Sequence, residues 1–378
     1  MSMKEFCRIC RAELSVPRLT MENVPAAAQN LPASPEELAA DRPVDLKICE
    51  CPRCGVVQHT AAAVGYFREV LRASGVSEAM KRFRLTQFRS WLERFDLVGK
   101  PVFEAGCGNG EYLSLMAQAG AKVTGVEYGV AAVERCREQG LTVERNYFEQ
   151  GTEVVGNGQF AGFFVLNFLE HIPDIPRFLD GCRNNLLPGG AGLIEVPNFD
   201  MILKNSLLTE FSTEHLYYFT AGTLTNLLNN NGFEVRSIST VWSDYIISAE
   251  VVRRSATDLS GCGATARRIR TELFDFISRH RKCAIWGVGH QALTTLALAG
   301  ITTQEIAFAV DSSPAKQGRF TYATHIPIYA PEAIVSCGAD AVLVACGGYS
   351  DEVAAIVRER YGQNIALAIL RENKLEIL

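Results

Sequence analysis

The chain has 378 residues, of which 48% are hydrophobic, 9% aromatic and 21% charged, enough apolar material for two or three domains of about 100–200 residues each. That composition excludes a disordered or fibrous chain. Lys and Arg total 37 against 42 for Asp and Glu, a formal charge of −5, so no basic excess argues for holding a nucleic-acid backbone. Apolar runs fall short of the roughly 18 residues that span a bilayer, and the first residues lack the charged, apolar, small-residue order of a signal peptide. The expectation is a cytoplasmic protein with neither a nucleic-acid nor a membrane partner.

Twelve cysteines in a long chain without a secretion signal are expected to stay reduced, and paired CxxC turns there more often hold metal than form disulfides. Cys7-Arg8-Ile9-Cys10 and Cys51-Pro52-Arg53-Cys54 are two such turns. Each aims two sulfurs at one point, and together they complete the closed tetrahedral shell that structural zinc prefers. Cys7, Cys10, Cys51 and Cys54 are the predicted ligands of a zinc-binding domain over 1–62, with Cys49 and His59 as competitors. A closed site has no open coordination position, so the metal is assigned to folding and not to catalysis. The Pro- and Ala-rich stretch from Val24 to Asp41 reads as an excursion carried by this knot.

Residues 66–95 read as one or two helices, with Phe83, Phe88, Trp91, Leu92 and Phe95 at helical spacing. Tyr66 and Phe67 open this segment, as core or as part of a lid over a substrate. From Pro101 short apolar strands alternate with helices, the mark of a doubly wound parallel sheet. Strand candidates are 102–105, 122–126, 141–144, 162–166 and 192–196. After a helix at about 221–230, the β-rich runs 233–241 and 245–252 lie too close for a helical crossover, so they pair as a hairpin and finish the sheet antiparallel. These elements fill a domain over 63–255. The polar stretch 253–264, with Gly261-Cys262-Gly263, marks a boundary before a helix at about 266–281. Strands at 283–286, 306–310, 341–345 and 365–369, with helices near 291–300 and 351–361, then predict a smaller α/β domain over 256–378.

The first strand of the larger sheet runs into Glu104-Ala105-Gly106-Cys107-Gly108-Asn109-Gly110, a glycine-rich turn that lets the backbone pass close to a ligand. The next strand ends at Glu127, where a carboxylate can accept from both hydroxyls of a ribose. Loop and acid alone suit NAD and S-adenosylmethionine equally, since both carry an adenosine. The leading acid Glu104 and the terminal hairpin separate them: here the sequence resembles the class I S-adenosylmethionine-dependent methyltransferases. Their acid-Gly-x-Gly-x-Gly motif is matched at Glu104, Gly106, Gly108 and Gly110, with Glu127 as the ribose acid. The resemblance implies that Tyr128 packs on the adenine. It also implies that the turn Leu166-Asn167-Phe168-Leu169-Glu170-His171, with Asn167, lines the methionine end of the cofactor, and that His171 shapes this pocket. Leu187-Pro188-Gly189-Gly190 resembles the turn before the fifth strand.

Read together, the four-cysteine knot, the methyltransferase core and a C-terminal Rossmann-like domain resemble the sugar C-methyltransferases of deoxysugar pathways, over essentially the whole chain. The most specific piece is Thr213-Glu214-His215-Leu216-Tyr217-Tyr218-Phe219. The resemblance implies a methyl-acceptor site at Glu214 and His215, with His215 as general base and Glu214 orienting it or contacting the sugar. Moving a methyl group onto carbon requires a carbanion equivalent, which a carbon beside a ketone becomes on losing a proton, and a neutral imidazole can take that proton near pH 7. The same base would serve O- or N-methyl transfer on a related sugar nucleotide. One departure stands out: the family's tyrosine two residues before the glutamate is Ser212 here. Tyr66, Tyr217 and Tyr218 are the candidate phenols in its place. His59, His280 and His325 have no identifiable partner.

In the C-terminal domain, Gly287-Val288-Gly289-His290-Gln291-Ala292 with Asp311 further on fits a dinucleotide fingerprint by spacing. The family resemblance instead implies a part in holding the nucleotide of a nucleotide-sugar substrate, because one helix N-terminus can bind a pyrophosphate from either ligand.

Overall fold

In the computed structural model, which describes residues 5–70, 76–372 and 374–378, the strands of the larger sheet are β1 (Pro101–Ala105), β2 (Lys122–Glu127), β3 (Val143–Arg145), β4 (Phe160–Leu166), β5 (Leu186–Pro197), β6 (Phe233–Val241) and β7 (Ile246–Arg253). Their order across the sheet is β3-β2-β1-β4-β5-β7-β6, parallel throughout except for β7, which runs against both β5 and β6. This is the class I methyltransferase sheet with its antiparallel hairpin. The central strand β4, Phe-Ala-Gly-Phe-Phe-Val-Leu, is almost continuously buried, as a parallel strand covered on both faces requires. It stacks Phe163 on Phe103 of β1. Reversal of the strand order between β1 and β4 opens a crevice at the carboxyl ends, where ligands of such sheets bind.

Of the predicted helical segment 66–95, residues 71–75 lie outside the described residues. The remainder forms a 3₁₀ turn, Phe67–Glu69, and a helix, Glu78–Arg94, whose first turn is capped by Ser77 Oγ accepting from Met80 N. Phe88, Trp91 and Leu92 bury one face of this helix. The same face carries Arg84, which is 1% exposed and donates to Glu195 Oε2 at 2.5 Å, while Gln87 donates to Glu195 Oε1. Removing one partner of a buried pair strands the other charge without water. Arg84→Met is expected to destabilise the fold by about 3–5 kcal/mol, read as a lower urea midpoint. An unchanged midpoint would show that Glu195 finds another partner.

The cysteine-bearing segment builds a four-stranded sheet, in order Leu19–Val24, Val44–Glu50, Val57–His59 and Tyr217–Tyr218. Its last strand comes from the stretch singled out as the acceptor site: Val57 and Gln58 pair with Tyr218 and Tyr217, and His59 N donates to Leu216 O. The N-terminal segment is thus stitched to the residue after His215, a long-range pairing with no local sequence signal. Contacts divide the chain into two units, Met1–Ser255 and Ala256–Leu378.

The second unit is a six-stranded sheet in the order Ile328–Tyr329, Ile306–Val310, Cys283–Trp286, Ala341–Val344, Ala366–Arg371 and Lys374–Ile377, with only the last strand antiparallel. Its leading helix spans Ser260–Ile277, starting before the expected 266. Gly261-Cys262-Gly263 lies inside the helix rather than in a linker. Glycine costs about 1 kcal/mol per helical position, but Asp258 Oδ1 accepts from Ser260 N at 2.9 Å and the helix buries Ile269, Leu273, Phe276 and Ile277, which offsets that cost. Among the described residues no helix is long and apolar enough to cross a membrane.

Candidate active site

The glycine-rich turn leaves β1 with Gly106, Gly108 and Gly110 all in the left-handed region, at φ of 76°, 54° and 84°. At Gly106 a Cβ would lie 2.5 Å from the Phe168 ring, and at Gly110 2.5 Å from Leu141 Cδ1. Neither position accepts a side chain, for conformation and for space. Glu127, 4% exposed at the end of β2, accepts from Gly108 N at 2.9 Å and Gly129 N at 2.7 Å. Burial raises its pKa, and the two amides oppose that rise. Glu104 is buried beneath the same turn.

A cavity of about 430 Å³ runs from this turn to the acceptor stretch, bounded by Gly106, Gly108, Asn167, Glu170, His171, Ser212, Glu214, His215 and Tyr245 among others. Asn167 follows β4 in the left-handed region, at φ 51°. His171 Nδ1 lies 2.9 Å from Glu214 O, which makes this nitrogen the donor and leaves Nε2 without a proton. The His171 ring stands edge-on to His215, with centroids 4.9 Å apart. Burial and the neighbouring His215 hold His171 down to about 3. Burial also lowers His215, against the opposing pull of the Glu210 and Glu214 carboxylates, and pushes Glu170 up to about 8. The site thus disfavours the charged forms of both imidazoles and of the Glu170 carboxyl.

Glu214 is held from outside the core. Its Oε1 accepts from Ala28 N and Gln29 N at 3.0 Å each and from the Tyr66 hydroxyl at 2.5 Å, and its Oε2 accepts from Gln29 Nε2 at 3.2 Å. The 24–41 excursion thus reaches the cavity, a contact between distant positions that composition does not announce. Arg68 and Tyr147 are further residues that sequence reasoning did not single out. Arg68 lies 5.6 Å from the Tyr128 ring centroid and 5.4 Å from that of Tyr147, and pairs with Glu149 at 2.6 Å. Together with Gly106, Glu127 and Phe168 these side chains line a small hollow beside the glycine-rich turn. An aromatic residue just past β3 is the signal that was available for Tyr147.

The four sulfurs of Cys7, Cys10, Cys51 and Cys54 lie within 4.8 Å of one another, with Cys7–Cys54 at 3.7 Å and Cys10–Cys51 at 3.5 Å. Sulfurs placed about 2.3 Å from a central zinc ion in a tetrahedron stand about 3.8 Å apart, so the donor set fits that ion. Gln58 Nε2 donates to Cys7 Sγ at 3.1 Å while its Oε1 accepts from Arg8 N, an outer layer that orients the first ligand. Cys49 stands outside the cluster. His59 is fully buried and held down to about 4, chiefly by burial and then by the charge of Arg8.

In the second unit, Asp311 accepts from Val288 N at 3.0 Å and Ser313 N at 2.9 Å and pairs with Lys316 at 2.8 Å. These groups border a hollow of about 300 Å³ at the N-terminus of helix His290–Ala299, together with Gly287, Gly289 and Gln291.

Sheet order, glycine-rich turn and the acid at the end of β2 define an S-adenosylmethionine-dependent methyltransferase. Comparison with known proteins agrees: residues 80–238 match the methyltransferase domain family and residues 254–368 the C-methyltransferase C-terminal domain family. The chain thus carries a methyltransferase domain followed by a domain similar to the C-terminal domain of C-methyltransferases. It is 25% identical over 92% of its length to the C-methyltransferase NovU of Streptomyces niveus, covering 90% of that protein. A ubiquinone biosynthesis O-methyltransferase of Pseudomonas paraeruginosa is 36% identical over 116 residues, where the match spans 29% of this chain and only half of that relative's length. The crystal structure of magnesium protoporphyrin IX methyltransferase from Synechocystis with bound S-adenosylhomocysteine is similar over 49% of this chain and 90% of its own, at 19% identity and a TM-score of 0.38.

Proposed function

We propose that the protein moves the methyl group of S-adenosylmethionine onto a carbon beside the ketone of a nucleotide-linked keto sugar, with His215 as the base. The observation that carries this reading is His215, partly buried on the cavity that begins at the glycine-rich turn, where its charged form is disfavoured. The likeness to a C-methyltransferase along nearly the whole chain supports it. Glu104, Gly106, Gly108, Gly110, Glu127, Tyr128 and Asn167 would hold the cofactor, which supplies an electrophilic methyl on a sulfonium. Glu127 takes the ribose hydroxyls, and the close passage of the backbone at Gly106 and Gly108 leaves room for the homocysteine part. His215 Nε2 or Nδ1 accepts the proton from the carbon beside the ketone, and the electron pair left behind forms the bond to the methyl carbon. His171 keeps the Glu214–His215 backbone in place through its bond to the Glu214 carbonyl.

Zinc at Cys7, Cys10, Cys51 and Cys54 would act at one remove. The knot anchors strand Val57–His59, that strand pairs with Tyr217–Tyr218, and His215 lies two residues upstream. Chelation is expected to lower the unfolding temperature and turnover together, as followed by a thermal melt and a methyl-transfer assay on the same samples. A metal-free protein with full activity and an unchanged melt would rule out this role.

Lys316 beside the helix N-terminus at His290 gives the second unit a cation and free amides, the chemistry a diphosphate needs. The reading is tested by calorimetric titration of metal-replete protein with S-adenosylhomocysteine, thymidine diphosphate, guanosine diphosphate and NAD separately. Binding of the homocysteine product and one nucleoside diphosphate, without NAD, is the expected result. Binding of NAD in place of either diphosphate would make the fingerprint around Gly287 literal and point to a redox-linked enzyme.

A further inference from the structure

Proton abstraction beside a ketone leaves an enolate oxygen that needs a hydrogen-bond donor. Ser212, whose Oγ accepts from His215 N at 3.3 Å and keeps its own proton, has a side chain much shorter than the tyrosine it replaces. None of Tyr66, Tyr217 and Tyr218 lines the cavity. Tyr217 donates to Pro173 O at 2.8 Å, Tyr218 packs its ring with Phe199 and Phe211 in a separate apolar cluster where its hydroxyl is buried without a partner among the described residues, and Tyr66 donates to Glu214.

Another phenol does line the cavity. Tyr245 sits at the tip of the β6–β7 hairpin, borders the same space as Ser212 and His215, and donates to Glu210 Oε2 at 2.7 Å. Its position is enforced. The three preceding residues, Trp242, Ser243 and Asp244, all lie in the left-handed region, at φ of 52°, 57° and 62°, a run that non-glycine residues adopt only where the surroundings demand it. Asn198 holds the tip from below: its N–H donates to Tyr245 O and its Nδ2 to Asp244 O, each at 2.8 Å. Glu210 faces both partners, accepting the Tyr245 proton and raising the basicity of His215.

We infer that Tyr245 is the catalytic phenol of this chain, donating to the enolate oxygen as it forms in place of the tyrosine that Ser212 replaces, with Glu210 as its positioning residue. The inference rests on the proposed carbon methylation. In the free protein Glu210 takes the phenol's hydrogen bond. When the carbon-bound proton passes to His215, Glu210 can turn to the new imidazolium and release the Tyr245 hydroxyl to the oxygen that has gained charge. The phenol keeps its own proton throughout; the electron pair returns to carbon as the bond to the methyl forms, the sulfonium–methyl bond would break with its pair left on sulfur as S-adenosylhomocysteine, and His215 gives up the proton to water. Burial and the Glu210 carboxylate both raise the Tyr245 pKa, as a donor that must not ionise requires.

The test uses full-length, metal-replete protein, a panel of thymidine- and guanosine-diphosphate keto sugars, and two readouts: deuterium uptake beside the ketone without cofactor, and turnover with it. Tyr245→Phe is expected to lose about 100-fold in turnover and most of the deuterium uptake, with S-adenosylhomocysteine affinity and unfolding temperature unchanged. A structural role would move the last two instead. Return of turnover in the double variant Ser212→Tyr, Tyr245→Phe would add direct support, because it restores a phenol to the same cavity. Wild-type exchange that persists undiminished in Tyr245→Phe overturns the inference alone. No wild-type exchange on any sugar of the panel removes the carbon-methylation reading and the inference with it.

Discussion

His215→Gln is expected to lower turnover by about 10²- to 10⁴-fold, the range a positioned general base contributes, while leaving S-adenosylhomocysteine affinity unchanged. The substitution keeps a planar polar side chain beside the His171 ring but removes the basic nitrogen. The cofactor would contact chiefly the turns after β1 and β2 and Asn167, so its affinity should survive the change. The pH dependence follows with its sign. An imidazole is a base only when neutral, and burial lowers the pKa of His215, so the acid limb of kcat/KM should lie below the ordinary histidine value of about 6.5. A near-wild-type rate in the glutamine variant would remove His215 as the base, and an acid limb above that value would contradict its burial.

Glu127→Ala is expected to weaken S-adenosylhomocysteine binding by at least about 100-fold, since two hydrogen bonds to a buried charged group are worth roughly 3 kcal/mol or more. Two losses combine. The ribose hydroxyls lose their acceptor, and the amides of Gly108 and Gly129, which now converge on the carboxylate, lose theirs. The glycine-rich turn would then be free to sample conformations that the ligand must reorder. Calorimetry on the variant checks this directly, and unchanged affinity would displace the ribose from Glu127.

Local chemistry was readable from the chain where one short segment does a whole task. The run from Glu104 to Gly110 has to be glycine-rich because Cβ atoms at Gly106 and Gly110 would strike Phe168 and Leu141. The paired CxxC turns announce a convergence of sulfurs because each turn closes within four residues. The hairpin was legible because Val241 and Ile246 are too close for any other connection. Contacts between distant segments were not. Nothing near Ala28 and Gln29 signals that their amides meet Glu214, and nothing near Val57 signals that it pairs with Tyr218. Tyr245 lay in what reads as the start of a strand; its placement over the cavity depends on three left-handed residues that carry no glycine to flag them. Tyr66, Tyr217 and Tyr218 are the phenols the sequence offers, whereas the one lining the cavity comes from the hairpin tip.

One product spectrum identifies the atom that receives the methyl group. Metal-replete protein is incubated with carbon-13 methyl-labelled S-adenosylmethionine and the panel of nucleoside-diphosphate keto sugars, and the labelled product is examined by NMR. The expected product carries a labelled methyl bonded to the carbon beside the ketone, at the position that takes up deuterium when cofactor is withheld. A labelled methyl on oxygen or nitrogen, with no deuterium at that carbon, would contradict it.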